Sequence, residues 1–183
     1  MVKAAAAEAA ATASTGDFDG IYEEHVDFVW RNLRRLGVSA AQLDDACQDV
    51  FLVVHRRRGD FAGRSTIRTW LFGIVLRVAS EHRRKGHHAA VFDALDDDLR
   101  SSEPGPFELA SRREAVRLLE RFLGMLSDST RPVFILAELE QMTAPAIAET
   151  LSLNLNTVYS RLRLARQAFE REVAEWTRRG GRP

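Results

Sequence analysis

Residues Thr143 to Phe169 read TAPAIAETLSLNLNTVYSRLRLARQAF, and two short helices around a tight connection account for the pattern. Thr143 is a good N-cap, and Pro145 falls in the first turn, where a backbone N–H has no intrahelical partner to lose. Ile147 and Leu151, four apart, mark the buried side of the first helix. Ser152-Leu153-Asn154 breaks that pattern: Leu153 is placed to plug the space between the helices, and Asn154 to cap the second. Val158, Leu162, Ala165 and Phe169 then recur at spacings of four, three and four, which is one apolar stripe.

At roughly 100° per residue, Asn156, Ser160, Arg163 and Gln167 point away from that stripe, with Thr157, Tyr159, Arg161 and Arg166 along its flanks. Short polar side chains and arginines, with no carboxylate before Glu170, suit a major-groove wall of acceptors and phosphates. A basic helix solvated on a bundle is the plainer reading of the same residues. The small Ala148 and the short turn favour a helix-turn-helix, with Asn154 to Arg171 as the recognition helix.

The remaining 156 or so positions have to be consistent with that module. A chain of 183 residues, 45% hydrophobic, makes one medium domain or two small ones. Five prolines and no alternating β-rich runs point to an all-helical protein. The single cysteine, Cys47, excludes an internal disulfide and a Cys-based zinc site, and fits a reducing cytoplasm. No apolar run is long enough to span a bilayer, so no direct membrane insertion is expected. The AAAAEAAATA stretch near the N-terminus lacks the Leu/Ile/Val-rich segment of a signal peptide, and residues 1–16 read as a frayed or disordered tail.

Net charge is zero, with 26 basic and 26 acidic residues, but the signs are separated. Arg56 to Lys85 holds nine Lys/Arg against two Asp/Glu, and Asn154 to Pro183 seven against three. The acids gather elsewhere, notably seven against three between Asp93 and Glu114. Blocks of both signs imply at least two basic surfaces on one chain.

From the N-terminal side, Asp17 to Leu36 reads as a helix with Phe18, Ile21, Tyr22, His25, Val26, Phe28, Val29 and Leu33 at apolar positions, ended by Gly37. Ala40 to about Arg58 forms the next, with Leu43, Ala46, Val50, Phe51 and Val54 inward. Asp44, Asp45, Gln48 and Asp49 fill its other side. An acidic start and basic end complement the helix dipole, and the same acids could equally face a basic partner. Gly59 to Ser65 is a loop. Thr66 to Lys85 then buries Ile67, Trp70, Leu71, Ile74, Val75 and Val78, while Arg64, Arg68, Thr69, Phe72 and Arg77 surround Trp70 with cations, a hydroxyl and an aromatic. Aromatics interleaved with cations suit single-stranded nucleic acid.

Gly86 to Phe107 has no periodicity and divides the chain. His87 and His88, with His82, lack a fixed carboxylate or thiol nearby, so they read as solvated loop histidines rather than metal ligands. Asp96, Asp97 and Asp98 could guard the basic faces. Glu108 to Leu126 then forms a helix with Leu109, Val116, Leu119, Phe122, Leu123 and Leu126 inward. Ser129 to Leu139 forms another, with Pro132 in its first turn, and Trp176 and Arg178-Arg179 follow the helix-turn-helix.

Three stretches in this order resemble the sigma-70 family of bacterial sigma factors, and more closely its compact extracytoplasmic-function (ECF) group, which keeps regions two and four. Asp45-Ala-Cys-Gln48-Asp49-Val-Phe51 is similar to the core-polymerase motif D-x-x-Q-[ED]-x-F. Phe61 to Leu71 resembles F-x-G-x-S-x-x-R-T-W-L. Leu126 to Arg166 resembles region four, ending in T-V-x-S-R-L-x-x-A-R. Departures are Ser152 where the turn usually has Gly, Tyr159 for a common Lys and Arg77 for a frequent Asn.

The resemblance implies an all-α fold of two small helical domains joined by a flexible linker. Region two would span 17–86, the linker 87–106 and a winged-helix-like region four 107–177, with 178–183 as a tail. It implies that Asp45, Gln48 and Asp49 meet the β′ clamp helices of core RNA polymerase, and that region four meets the β flap. Gly63, Arg64, Ser65, Arg68 and Thr69 would capture a base flipped from the minus-ten element, with Trp70 beneath. Arg77, Arg83, Arg84 and Lys85 would face phosphates there. Asn156, Thr157, Tyr159, Ser160, Arg161, Arg163 and Arg166 would read the minus-thirty-five element. It further implies an anti-sigma factor, no cofactor and a cytoplasmic location. A stand-alone helix-turn-helix regulator with a sensing or dimerising N-terminal domain is the alternative. A helical enzyme fits poorly, because no metal constellation, phosphate-cradling loop or matched nucleophile and base appears.

Overall fold

The computed structural model describes residues 18–63, 65–85 and 106–180, with side chains in the helix that starts at Pro106 described from Arg113 onward. The tail at 1–16, Arg64, His87, His88, the Asp96–Asp98 run and the linker up to Gly105 therefore lie outside the described residues, as does the side chain of Leu109. The described residues are helical and divide between two compact units, Met1–Val91 and Phe92–Pro183.

In the first unit, α1 (Phe18–Arg35), α2 (Leu43–Arg57) and α3 (Ile67–Lys85) pack against one another pairwise as a three-helix bundle. The seam is apolar: Ile21, Val29 and Leu33 of α1, Ala46, Val50 and Val54 of α2, and Leu71, Phe72 and Val75 of α3 have essentially no exposure. Fully burying such a side chain contributes about 1.5–3 kcal/mol. Phe72, expected among the exposed aromatics around Trp70, is wholly buried here, so it serves the core. Tyr22, expected inward, is exposed instead.

Gly37 ends α1 with φ +90°. Val38 N–H reaches Leu33 O at 3.1 Å and Gly37 N–H reaches Arg34 O at 2.9 Å, the paired bonds of a Schellman turn. Arg83 of α3 adds a third closure, donating to Leu36 O at 2.8 Å. At the start of α3, the Thr66 hydroxyl oxygen accepts from Thr69 N–H at 3.2 Å and lies 2.8 Å from the Thr69 hydroxyl. Thr66 thus caps the helix just where the loop hands over to it.

The second unit holds α4 (Pro106–Met125), α5 (Arg131–Phe134, continuing as a π turn over Ile135–Leu139), α6 (Ala144–Leu151) and α7 (Leu155–Arg178). Its core is aromatic. Phe122 of α4 meets Phe134 of α5 and Phe169 of α7 at centroid distances of 5.0 Å each, edge to face. In α4 it is Leu118, Phe122 and Leu123 that are fully buried, while Val116, Leu119 and, just past the helix end, Leu126 are half-buried. Helix α7 runs seven residues past the expected end at Arg171, to Arg178. Trp176, expected to follow the helix-turn-helix, is a buried member of that helix whose indole N–H donates to Glu114 at 3.0 Å.

Arg131 is buried at the α4–α5 corner. Its guanidinium donates to Leu123 O at 2.7 Å, Leu126 O at 3.0 Å and Gly124 O at 3.4 Å. Leu123 O also accepts from Leu126 N–H at 3.3 Å, so the guanidinium adds to that backbone bond, and one cation closes the end of the helix and fixes the corner.

Candidate functional site

The helix-turn-helix forms as the caps dictate. The Thr143 hydroxyl accepts from Ala146 N–H at 3.5 Å, and Asn154 Oδ1 accepts from Asn156 N–H at 2.8 Å. Between the helices, Ser152 is left-handed, with φ 52° and ψ 46°. Leu153 N–H reaches Ala148 O at 2.8 Å and Ser152 N–H reaches Glu149 O at 3.2 Å, the same pair of bonds that ends α1 at Gly37. Serine therefore holds a conformation that favours glycine. Ile147, Val158, Leu162 and Ala165 are buried, which sets the rotation of α7.

That rotation leaves Asn156, Tyr159, Ser160 and Arg163 exposed, with Thr157 half-buried and accepting from the Ser160 hydroxyl through its carbonyl at 3.0 Å. The two flanking arginines are engaged with α5 and the turn before it. Arg161 donates to Ser129 O at 2.9 Å, and Arg166 meets Glu138 Oε1 through Nε at 2.8 Å and a terminal nitrogen at 2.7 Å. These bonds brace α7 on its scaffold. The Arg166–Glu138 pair is solvent-accessible, where such pairs contribute at most about 1 kcal/mol, so a phosphate can compete for that arginine.

In the first unit, Asp45, Gln48 and Asp49 lie exposed along α2. Leu52, one turn on, is exposed as well, and beside them opens a groove of about 690 Å³ floored by Val26, Trp30, Cys47 and Phe51. An apolar pocket or dimer seam within residues 17–85 is what the stand-alone-regulator alternative calls for; in this groove Phe18, Tyr22, Val26 and Trp30, which recur every four residues along α1, all take part in the lining. Cys47 is itself buried, and burial first, with Asp44 beside it, pushes its thiol up to about 11, so it is a packing residue rather than a nucleophile.

The loop before α3 holds Gly63 at φ +66°, and Phe61 packs on Trp70 with centroids 5.5 Å apart. Trp70 thus sits under the loop, half-buried. Arg68 lies over the Phe28 ring at 5.7 Å, and Arg77, Arg84 and Lys85 are exposed. Two members of the basic end turn inward. Arg83 is half-buried on Leu36 O, and His82, expected to be a solvated histidine, is buried with Nε2 2.8 Å from Asp49 Oδ2. Their signal was position: His82 falls four residues after Val78 and seven after Val75, on the buried stripe of α3.

An all-helical chain with a capped helix-turn-helix, a bare polar face on its second helix, and a separate acidic face beside an apolar groove has the parts of a DNA-binding transcription factor that also docks on another protein. Residues 21–88 match Sigma-70 region 2, and residues 116–169 match Sigma-70, region 4. The ferric citrate uptake sigma factor FecI of Escherichia coli K12 is 31% identical over 153 residues, covering 81% of this chain and 86% of that one. The ECF RNA polymerase sigma factor SigL of Mycobacterium tuberculosis H37Rv is 29% identical over 91% of this chain and 94% of its own. Among solved structures, CnrH in complex with the cytosolic domain of CnrY superposes with a TM-score of 0.65 at 24% identity, over 92% of this chain and 95% of that one. The chain belongs to the sigma-70 family of RNA polymerase sigma factors, in its extracytoplasmic-function group.

Proposed function

We propose that this chain is a promoter-recognition subunit that binds core RNA polymerase and directs initiation at a specific set of promoters. The observation that carries the reading is the coexistence, on one chain of this family, of two separate exposed surfaces: the α7 face of Asn156, Tyr159, Ser160 and Arg163, and the α2 face of Asp45, Gln48 and Asp49.

In this reading residues 17–86 act as region two, 107–177 as region four and 87–106 as the connector. Asp45, Gln48 and Asp49 meet the polymerase β′ clamp helices, and the groove beside Leu52 takes apolar side chains of the same partner. Region four docks on the β flap and lays α7 in the major groove of the minus-thirty-five element. Asn156 and Arg163 are the side chains with the hydrogen-bonding groups that base edges require. In region two, Gly63 to Thr69 receive a base flipped from the minus-ten strand, with Trp70 supporting the loop. Unstacking that base costs a few kcal/mol, which an AT-rich step and a receiving pocket offset. Arg77, Arg84 and Lys85 neutralise phosphates along the opened strand. The chain performs no chemical step itself, because phosphodiester synthesis belongs to the polymerase.

Among the described residues no helix is long and apolar enough to cross a membrane. We assign the protein to the cytoplasm, where core polymerase works, and expect an anti-sigma factor to hold it when idle, at the membrane if that partner is anchored there. Reconstituting the chain with core polymerase on genomic fragments and mapping the transcripts tests the reading. Start sites sharing one minus-thirty-five and one minus-ten sequence support it. Sequence-specific duplex binding by the chain alone, with no new transcripts, supports the stand-alone regulator.

A further inference from the structure

His82 sits where α3 crosses α2, 7% exposed, with Nε2 2.8 Å from Asp49 Oδ2. A carboxylate can only accept, so Nε2 carries the proton and donates. The Asp49 side chain is itself 51% exposed, so one oxygen is tied into the seam while half of the side chain stays in solvent. The next residue, Arg83, is anchored on Leu36 O at the end of α1, and Arg84 and Lys85 beyond it are exposed. The imidazole is therefore fixed by burial and by its neighbour's anchor, and the carboxylate inherits that order.

We propose that His82 is a positioning residue for polymerase docking. It sets the Asp49 carboxylate in the orientation that the partner helix meets, and links the docking face of α2 to the helix that carries Arg77, Arg84 and Lys85. This rests on the reading of Asp49 as a docking residue. The physical gain is preorganisation: a carboxylate already held in one rotamer loses less freedom on docking than a free one. Losing the buried donor also leaves one side of the seam short of a hydrogen bond.

The test is a binding titration of the labelled full-length chain with core polymerase, using single and double variants, with thermal unfolding of each measured alongside. Asp49→Ala and His82→Phe should each weaken binding about tenfold, the cost of roughly one charge-assisted hydrogen bond. In the Asp49→Ala background, His82→Phe should add less than about twofold, because the two act as one unit. His82→Gln, whose amide N–H reaches the place of Nε2, should restore binding to within about twofold of the parent. If His82→Phe does not unfold as a cooperative helical unit, His82→Leu takes its place in the cycle. A His82 variant that binds as the parent does, while Asp49→Ala is impaired, overturns the proposal. So does an equal loss in both backgrounds, which is what a purely structural histidine gives. If Asp49→Ala binds normally, the docking role of Asp49 fails first and the proposal with it.

Discussion

Replacing Arg131 by Met should unfold the DNA-reading unit more readily than any surface change on α7. Methionine keeps most of the apolar stem of the side chain in place, so the loss isolates the guanidinium. That group donates to Leu123 O at 2.7 Å and Leu126 O at 3.0 Å, and at a longer 3.4 Å to Gly124 O. Asp128 Oδ1, 3.7 Å away, is highly exposed and adds little. A hydrogen bond to a charged donor contributes about 1.5–3 kcal/mol; Leu123 O keeps Leu126 N–H at 3.3 Å and water reaches the half-buried carbonyls, so the expected loss is about 3 kcal/mol. A helical unit of this size has on the order of 4–11 kcal/mol of total stability. The same loss lowers its melting temperature by about 15 °C. Trp176 is the reporter: with Trp30→Phe and Trp70→Phe as background, its fluorescence follows this unit alone in the intact chain. Arg131→Lys should recover less than half, since an ammonium cannot span the carbonyls. A loss below about 1 kcal/mol for the Met variant would refute the reasoning and show that Arg131 is a bystander.

Other predictions follow from single residues. Ser152→Gly should raise the stability of the same unit by up to about 1 kcal/mol, relief of the left-handed strain being partly offset by the freedom of glycine when unfolded, whereas Ser152→Val should lower it by about as much; both are read by the Trp176 melt. His25 is buried, with neither ring nitrogen hydrogen-bonded, and its pKa is held below 6.5 mainly by burial, the nearby Arg68 adding to this and Glu24 opposing it. The unfolded chain therefore takes up that proton first, so the contribution is intact above 6.5 and is lost as pH falls below it. His25→Leu should flatten that limb of the stability profile of the first unit. Arg163→Ala should reduce the salt slope of promoter binding by the holoenzyme by about 0.9 if it meets a phosphate, and Asn156→Ala should change base preference with the slope unchanged.

How far the sequence carries depends on what each residue type reveals. Apolar periodicity placed the helices, and capping chemistry placed their starts at Thr143 and Asn154, because both signals are local. Ser152 was marked only by the family resemblance, as standing where the turn usually has Gly, and its left-handed φ of 52° gives that departure a physical meaning. Buried polar groups were harder. His82 and Arg83 sit in a run of cations whose composition says solvent, yet His82 continues the stripe of Val75 and Val78. Arg131 sits beside Pro132 at a helix start, where a cation usually faces water, and only the corner geometry shows which carbonyls it closes. Trp176 was legible in principle, seven residues after Phe169 on the same stripe, but the polar content of Glu170 to Glu175 ended the pattern early. The α7 face was legible from its short polar and basic residues, whereas composition left the α2 acids open between helix stabilisation and docking, and only the family resemblance chose; the groove beside them depends on how α1 and α2 pack, which spacing within one helix does not give.

The most direct measurement is the affinity of the full chain for core RNA polymerase, with the Asp45→Ala, Asp49→Ala double variant beside it. The parent chain should form a stable complex, and the double variant, while melting normally, should lose at least about tenfold in affinity. A parent chain that does not bind core polymerase, or a double variant that binds equally well, would contradict docking through the α2 face.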